Sequence, residues 1–263
     1  MLWRESWTFG APLRDLLGIP LDATTSEIIL RLISFSTGTT FALDLVSGKL
    51  PSPWTKPAAY PEDLNAWYCS GAFDLAGSNT WQDCSGNGNT AALSGSGLAE
   101  SRSDGNGATS EVLALSGTTS SQIAFGPVIK SEFTVCSVTR YTGGRKQRIL
   151  NGDSANWLHG HWNGNAGVAY YQGWKTAVKD NVSPDTDWVV MCGNNARSEL
   201  KLANGVDVGT AAGGRGDVSL FVNGGRFVNE KSDFAIAEVV VWPRGLTDVE
   251  MRGVSEHMIN RLG

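Results

Sequence analysis

The residues of this chain that could do chemistry are concentrated in one aromatic segment. It contains the run WLHGHW at 157–162, followed by Tyr170, Tyr171 and Trp174. A sugar ring presents an apolar C–H face that packs on an aromatic plane, and its hydroxyls hydrogen-bond to imidazole or amide groups. The segment is therefore a candidate carbohydrate-binding site. In the alternative interpretation, half of these aromatic side chains fill the core and the rest line a structural groove.

The spacing within this run predicts which side chains share a face. Successive residues of a β-strand point to opposite faces, so we expect Trp157, His159 and His161 on one face and the even-numbered residues on the other. The predicted ligand-binding set draws on both faces and comprises Trp157, His159, His161, Trp162, Tyr170, Tyr171 and Trp174. The two histidines could also ligate a metal, but no third ligand is evident near them in the sequence, and ordinary polar histidines are favoured.

The four cysteines of the chain indicate whether it resides in an oxidising or a reducing compartment. Cys69 and Cys84 flank a predicted hairpin, and we expect them to form a disulfide in an oxidising environment. Cys136 and Cys192 each lie within an apolar strand, where buried thiols and a cross-strand disulfide fit the sequence equally well. A structural zinc site is not expected, because no CxxC pair occurs and the chain has 3 histidines.

Composition and charge restrict the partners. The net charge is -5 and no basic run occurs, which argues against a nucleic-acid partner. No apolar stretch approaches the roughly 20 residues of a transmembrane helix, so we expect no membrane span. Residues 1–10 lack the apolar centre of a signal peptide, and none is recognised in this numbering.

The elements that must position the aromatic segment are predicted to be β-strands. Short apolar runs recur roughly every 8–12 residues from Leu64 onward without alternating helices, a pattern typical of a sandwich or barrel. The Asn204-Gly205 pair predicts a tight hairpin turn. Thr247 and Glu250 form a capping box that opens one C-terminal helix with an apolar stripe.

Residues 1–61 differ from the rest of the chain. They contain one short predicted helix and a proline-rich linker, and they are too few to form a core of their own. We expect this extension to dock on the sandwich, on a partner or on a membrane surface. The predicted docking residues are Trp3, Trp7, Phe9, Leu16, Leu17, Ile28 and Ile29.

The order of motifs over residues 62–263 resembles the LamG-like family of the laminin G/concanavalin A-like lectin/glucanase superfamily, in variants common in protist algae. The motifs that carry the resemblance are WQDCSGNGN at 81–89, SEFTV at 131–135, DWVV at 187–190, LANGV at 202–206 and FAIAEVVVWPRGLT at 234–247. The resemblance implies an all-β, antiparallel jelly-roll sandwich with a C-terminal helix, preceded by the extension 1–61. It also implies a domain that binds glycans, proteins or lipids.

Some relatives of this fold hold calcium between the opening loop and the closing strand. The matching positions are Asp83, Asn87 and Glu238, whose oxygen atoms suit a hard cation. The family often has an acidic residue directly before this glutamate, whereas this chain has Ala237. The loop residues are also ordinary turn formers.

Signatures of catalysis are not found in the sequence. Glycanases on this fold use two carboxylates on one strand, in the pattern E-x-D-x-x-E, and no such triplet occurs. Nucleophile-elbow, phosphate-loop and zinc-protease motifs are also missing. We therefore expect a protein that is not an enzyme.

Two functions follow as hypotheses. The first is a carbohydrate-binding, lectin-like module, secreted or in an organelle lumen. The second is a structural accessory subunit of a larger assembly, such as a photosynthetic membrane complex, docked through residues 1–61. The expected partner is a glycan or a protein, and calcium is the one cofactor considered.

Overall fold

The structure, a computed structural model, describes residues 55–263 and consists of two antiparallel eight-stranded sheets and one helix. Sheet I contains β1 (Ala66–Tyr68), β5 (Ala99–Gly105), β6 (Ala108–Gly117), β8 (Thr134–Tyr141), β12 (Val189–Asn194), β13 (Lys201–Ala203), β14 (Val206–Asp207) and β16 (Phe234–Trp242). Sheet II contains β2 (Phe73–Asp74), β3 (Thr80–Trp81), β4 (Ala91–Gly95), β7 (Ser121–Ile129), β9 (Leu150–Gly152), β10 (Trp157–Trp162), β11 (Asn165–Tyr171) and β15 (Val218–Val222). The helix α1 is Asp248–Asn260.

The order of strands places β1 and β16, the first and last strands of residues 55–263, next to each other inside sheet I. Sheet I runs β14-β13-β12-β8-β16-β6-β5, and β1 pairs with the second half of β16. Sheet II runs β11-β10-β9-β15-β7-β4-β3-β2. The predicted all-β sandwich is therefore confirmed, with β10 and β11 at one edge of sheet II.

Burial patterns explain why the sheets stack. Strand β7 alternates, so that Ile123 and Phe125 are buried while Gln122 and Ala124 are partly exposed. Strand β16 is buried at every position, because one of its faces meets sheet II and the other lies under Tyr60 and the end of α1. Burial of such apolar faces is the main force that holds two sheets together.

The local predictions for the turn and the helix are confirmed. Asn204 and Gly205 both have positive φ, 45° and 79°, as a tight hairpin turn between β13 and β14 requires. Helix α1 begins after Thr247, whose side chain and that of Glu250 form the reciprocal capping box. Its buried residues Met251, Val254 and Met258 carry the apolar stripe.

Two disulfides are present among residues 55–263. One joins Cys69 to Cys84, as predicted. The other joins Cys136 to Cys192, which face each other in the register of β8 and β12 with their Cα atoms 4.1 Å apart. Cys136 and Cys192 therefore form a cross-strand disulfide and are not buried free thiols. Paired cysteines of this kind are typical of an oxidising, extracellular-type environment.

Residues 55–61, which precede the sandwich, pack against it mainly through Tyr60, and the Pro61 carbonyl accepts from Trp242 Nε1 at 3.2 Å. Tyr60 is 1% exposed and lies edge-on to Trp67, Trp242 and His257. The predicted docking residues Trp3, Trp7, Phe9, Leu16, Leu17, Ile28 and Ile29 lie outside the described residues. Within the described range, no helix has the length and apolarity needed to cross a membrane.

Candidate functional site

The aromatic segment forms the hairpin of β10 and β11. Its turn is made by Asn163 and Gly164, both with positive φ. Trp157 pairs with Tyr171 and Leu158 with Tyr170, and an irregularity after Gly160 shifts the register. Paired residues of an antiparallel ladder point to the same face, so the hairpin has one aromatic face turned inward and one turned outward.

The inward face belongs to the core. Trp157, His159, His161 and Tyr171 are each 0% exposed, and the rings of Trp157 and Tyr171 stack with centroids 5.1 Å apart. These four residues were predicted to contact a ligand. The structure corrects that prediction, because they lie between the two sheets, where they fill the space above β8 and β12.

Both inward histidines are buried in the core, where His159 makes two hydrogen bonds and His161 Nδ1 lies 3.4 Å from the Thr139 hydroxyl. His159 Nε2 lies 3.1 Å from the carbonyl oxygen of Met191, which can only accept, so Nε2 carries the proton. His159 Nδ1 then accepts from the Tyr171 hydroxyl at 2.8 Å. Burial lowers the pKa of His159 to about 4 and that of His161 to about 3, so both are neutral at pH 7. In residues 55–263, no three His, Cys, Asp or Glu side chains form a group that could hold a metal.

The outward face carries three partly exposed rings, which we call the outer aromatic cluster: Trp162, Tyr170 and Trp174. The ring centroids of Trp162 and Trp174 are 5.3 Å apart, and those of Tyr170 and Trp174 are 5.1 Å apart. Trp174 reaches this face because its backbone forms a β-bridge with Tyr170. Leu158, directly opposite Tyr170, is buried on the same face. The cluster is therefore an aromatic surface at the edge of sheet II.

A loop that follows β15 stands beside this cluster. Gly224 accepts from the Asn151 side chain at 2.6 Å, and the Arg226 amide donates to the Gly152 carbonyl at 3.0 Å, so the loop crosses the outer face of β9. Further along, one oxygen of Glu230 (Oε2) accepts from Trp162 Nε1 at 3.0 Å. The loop 223–230, which we call the wall, therefore borders the cluster at Trp162.

The wall holds an ion pair that fixes Glu230. Arg148 Nε donates to Glu230 Oε2 at 2.6 Å, and the Arg148 guanidinium carbon lies 3.8 Å from the centroid of the Phe227 ring. Arg148 also donates to the side-chain oxygen of Asn156 at 2.8 Å. Sequence reasoning missed Arg148, Phe227 and Glu230, because the segment 223–230 resembles an ordinary glycine-rich turn and gives no signal of what it approaches.

The residues predicted to bind calcium have other partners. Asp83 accepts from the backbone amides of Trp67, at 2.9 Å, and of Asn89, at 3.0 Å, and so shapes the loop. Asn87 donates to the Leu64 carbonyl at 2.6 Å. These hydrogen bonds account for both loop residues without a cation.

Glu238 is the acceptor of a buried hydrogen-bond cluster. It is 2% exposed. It accepts from the Tyr60 hydroxyl at 2.9 Å, from Trp67 Nε1 at 2.6 Å and from Arg261 at 2.6 Å. The prediction of Asp83, Asn87 and Glu238 as calcium ligands therefore has no support in the described residues, because protein donors already surround the oxygen atoms of the two carboxylates.

Comparison with known proteins gives a likeness of fold. No protein-family model matches the sequence, and a search of curated proteins finds no match. Domain 4 of AbnA, an extracellular GH43 arabinanase from Geobacillus stearothermophilus solved in complex with arabinotriose, is similar at a TM-score of 0.51 and 15% identity, over 73% of this chain and 98% of that one.

Two further solved structures are similar at lower scores. The binding domain of Paraclostridial Mosquitocidal Protein 1 matches at a TM-score of 0.48 and 15% identity, over 74% of this chain and 53% of that one. Trypanosoma rangeli sialidase matches at 0.49 and 13% identity, over 76% of this chain and 34% of that one. At these identities the likeness to the arabinanase domain concerns the all-β sandwich alone.

Proposed function

We propose that the chain is a non-catalytic carbohydrate-binding module and that the outer aromatic cluster is its binding surface. The observation that carries the proposal is the position of Trp162, Tyr170 and Trp174, which stay partly exposed on the outer face of a hairpin whose other face fills the core. A core that is already packed does not need three further rings on the opposite face.

The chemistry of the surface fits a sugar. Flat rings pack against the C–H faces of a pyranose or furanose, and Tyr and Trp combine an apolar face with a polar edge. Hydrogen-bonding side chains border the rings, among them Asn163 at the hairpin turn and Glu230 in the wall. The same hairpin is held rigidly by its buried inner face, which reduces the entropy lost on binding.

The test is binding of the full, oxidised chain to glycans. Soluble polysaccharides would be screened by affinity electrophoresis, and oligosaccharides, arabinotriose included, by calorimetry. We expect Trp162→Ala and Trp174→Ala each to weaken binding about tenfold or more, equivalent to about 1.4 kcal/mol or more. Phe73→Ala, a partly exposed ring on β2 at the far edge of sheet II, should leave affinity unchanged.

Two results would contradict this function. One is a chain that binds none of the glycans in a broad panel. The other is an unchanged affinity in Trp162→Ala and Trp174→Ala variants whose unfolding transitions show that they are folded.

The accessory-subunit hypothesis depends on residues 1–61, of which 55–61 are described. Deletion of residues 1–50 separates it from the binding-module proposal. A glycan-binding module keeps its affinity after the deletion, whereas an accessory subunit leaves its complex. Gradient fractionation of soluble and membrane extracts, before and after the deletion, measures the difference. The proposed compartment for either function is an oxidising one.

A further inference from the structure

We infer, on the basis of the proposed function, that the site takes neutral rather than acidic glycans and that Glu230 is its specificity-determining residue. The inference rests on the Arg148–Glu230 ion pair that forms part of the wall beside the outer aromatic cluster.

The two members of this pair are exposed unequally. The Arg148 side chain is 4% exposed, whereas that of Glu230 is 31% exposed. Arg148 lies against the Phe227 ring and donates to Asn156, so its positive charge is covered by protein. At this pair a ligand therefore meets the Glu230 carboxylate and not the Arg148 guanidinium. Arg226, the exposed cation of the same loop, lies toward Phe227, with its guanidinium carbon 5.9 Å from that ring's centroid.

The carboxylate has one oxygen left for a ligand. Oε2 of Glu230 accepts from both Arg148 and Trp162, whereas Oε1 receives no hydrogen bond within residues 55–263. The other oxygen of the same carboxylate is bonded to Trp162 Nε1, so Oε1 belongs to a group held at the polar edge of the Trp162 ring. A sugar that packs on Trp162 can donate a hydroxyl proton to Oε1, and hydrogen bonds to an ionised acceptor are about twice as strong as neutral ones.

A carboxylated or sulfated sugar in the same position would place like charges next to each other. At a separation of about 4 Å that repulsion weakens binding roughly tenfold or more near a protein surface. The polar side chains at the turn and ends of the hairpin are amides, Asn156, Asn163 and Gln172. The backbone of Lys146 lies at the turn, where its carbonyl accepts from the Gly164 amide. The Lys146 ammonium group is already paired with Asp185 at 2.7 Å.

The experiment compares neutral and acidic glycans on the same protein. Arabinan, xylan and β-glucan form the neutral set, and polygalacturonate, alginate and heparin form the acidic set. Affinities of the full, oxidised chain would be measured at 50 and 300 mM salt for the wild type, for Glu230→Gln and for Glu230→Asp. Glu256→Gln is the matched control, because it removes the same charge from an exposed position on α1.

We expect the wild type to bind the neutral set with little dependence on salt and to bind the acidic set at least about tenfold more weakly. Glu230→Gln leaves the Arg148 charge unbalanced, so the ratio of acidic to neutral affinity should rise about tenfold or more. Glu230→Asp keeps the charge, so it should lose affinity for neutral glycans without gaining affinity for acidic ones. Glu256→Gln should change neither affinity.

The contrary outcomes can be told apart. A wild type that binds acidic glycans as well as neutral ones overturns the inference and leaves the binding function standing. A Glu230→Gln variant that is folded, as judged by thermal unfolding, and keeps the wild-type ratio also overturns it, because a merely structural residue would lower both affinities alike. A chain that binds neither set contradicts the proposed function itself.

Discussion

The two faces of the β10–β11 hairpin carry similar residues, but one face is buried in the core and the other is partly exposed to solvent. The inner face presents Trp157, His159, His161 and Tyr171 to the core, all fully buried. The outer face presents Trp162, Tyr170 and Trp174, all partly exposed. Residue type alone therefore does not separate a ring that stabilises the fold from one that is free to bind. The variants below test whether the two faces have these separate roles.

The largest difference between the faces is expected for removal of a tryptophan. Trp157→Ala leaves a large cavity between the sheets and should lower the free energy of unfolding by about 3–5 kcal/mol. Trp174→Ala, the same change on the outer face, should cost less than about 1 kcal/mol. Urea denaturation of both variants measures the difference, and equal losses would show that the outer ring is also structural.

Acid should destabilise the inner face next. The pKa of His159 is lowered to about 4 and that of His161 to about 3, against about 6.5 in an unfolded chain. Below pH 6.5 the unfolded state therefore binds more protons than the folded one, and stability falls by about 1.4 kcal/mol per pH unit for each histidine. Between pH 7 and pH 5 the free energy of unfolding should fall by about 2 kcal/mol for each of the two histidines. Above pH 6.5 this contribution to the pH dependence vanishes.

The acid effect can be divided between the two inner histidines. His161→Gln should remove about half of this loss, because His159 then remains as the inner histidine that takes up a proton on unfolding. A wild-type stability that is constant between pH 7 and pH 5 would contradict the assignment of both inner histidines as neutral core residues.

The smallest difference is expected from a single hydroxyl. Tyr171→Phe removes the donor to His159 Nδ1 and leaves a buried acceptor without a partner, which should cost about 1–2 kcal/mol. Tyr170→Phe, one residue earlier and on the outer face, should change stability by less than about 0.5 kcal/mol. Thermal unfolding of the Tyr171→Phe and Tyr170→Phe variants, measured side by side, gives the difference in their stability. A larger loss in Tyr170→Phe would reverse the roles of the two faces.

The sequence predicted much of the fold because the signals are local. Regularly spaced short apolar runs identified the strands, the capping box identified α1, and Asn204-Gly205 identified a hairpin turn. The rule of alternation also separated Trp157 from Leu158. It could not say which face would be buried, because that depends on β8 and β12 of the other sheet, which supply Thr139 and Met191.

The wall of the site could not be predicted for a related reason. Arg148 and Glu230 are 82 residues apart in the chain, and the pairing of β9 with β15 brings them together. The partners of Glu238 could not be predicted either, because they too are distant in the sequence. An isolated glutamate in an apolar strand is compatible with a cation or with protein donors, and its donors Tyr60 and Trp67 come from 178 and 171 residues away.

The position of Glu238 also bears on how this sandwich could be rearranged. Tyr60, near the beginning of the described residues, and Arg261, near their end, both reach the same carboxylate. The two ends of the sandwich therefore lie side by side, a condition under which circular permutation and insertion into another protein are tolerated. A short peptide from Gly263 back to Lys56, with new termini at the exposed Asn204-Gly205 turn, would preserve both sheets, and the sandwich could equally be carried as an insert in a surface loop of a host.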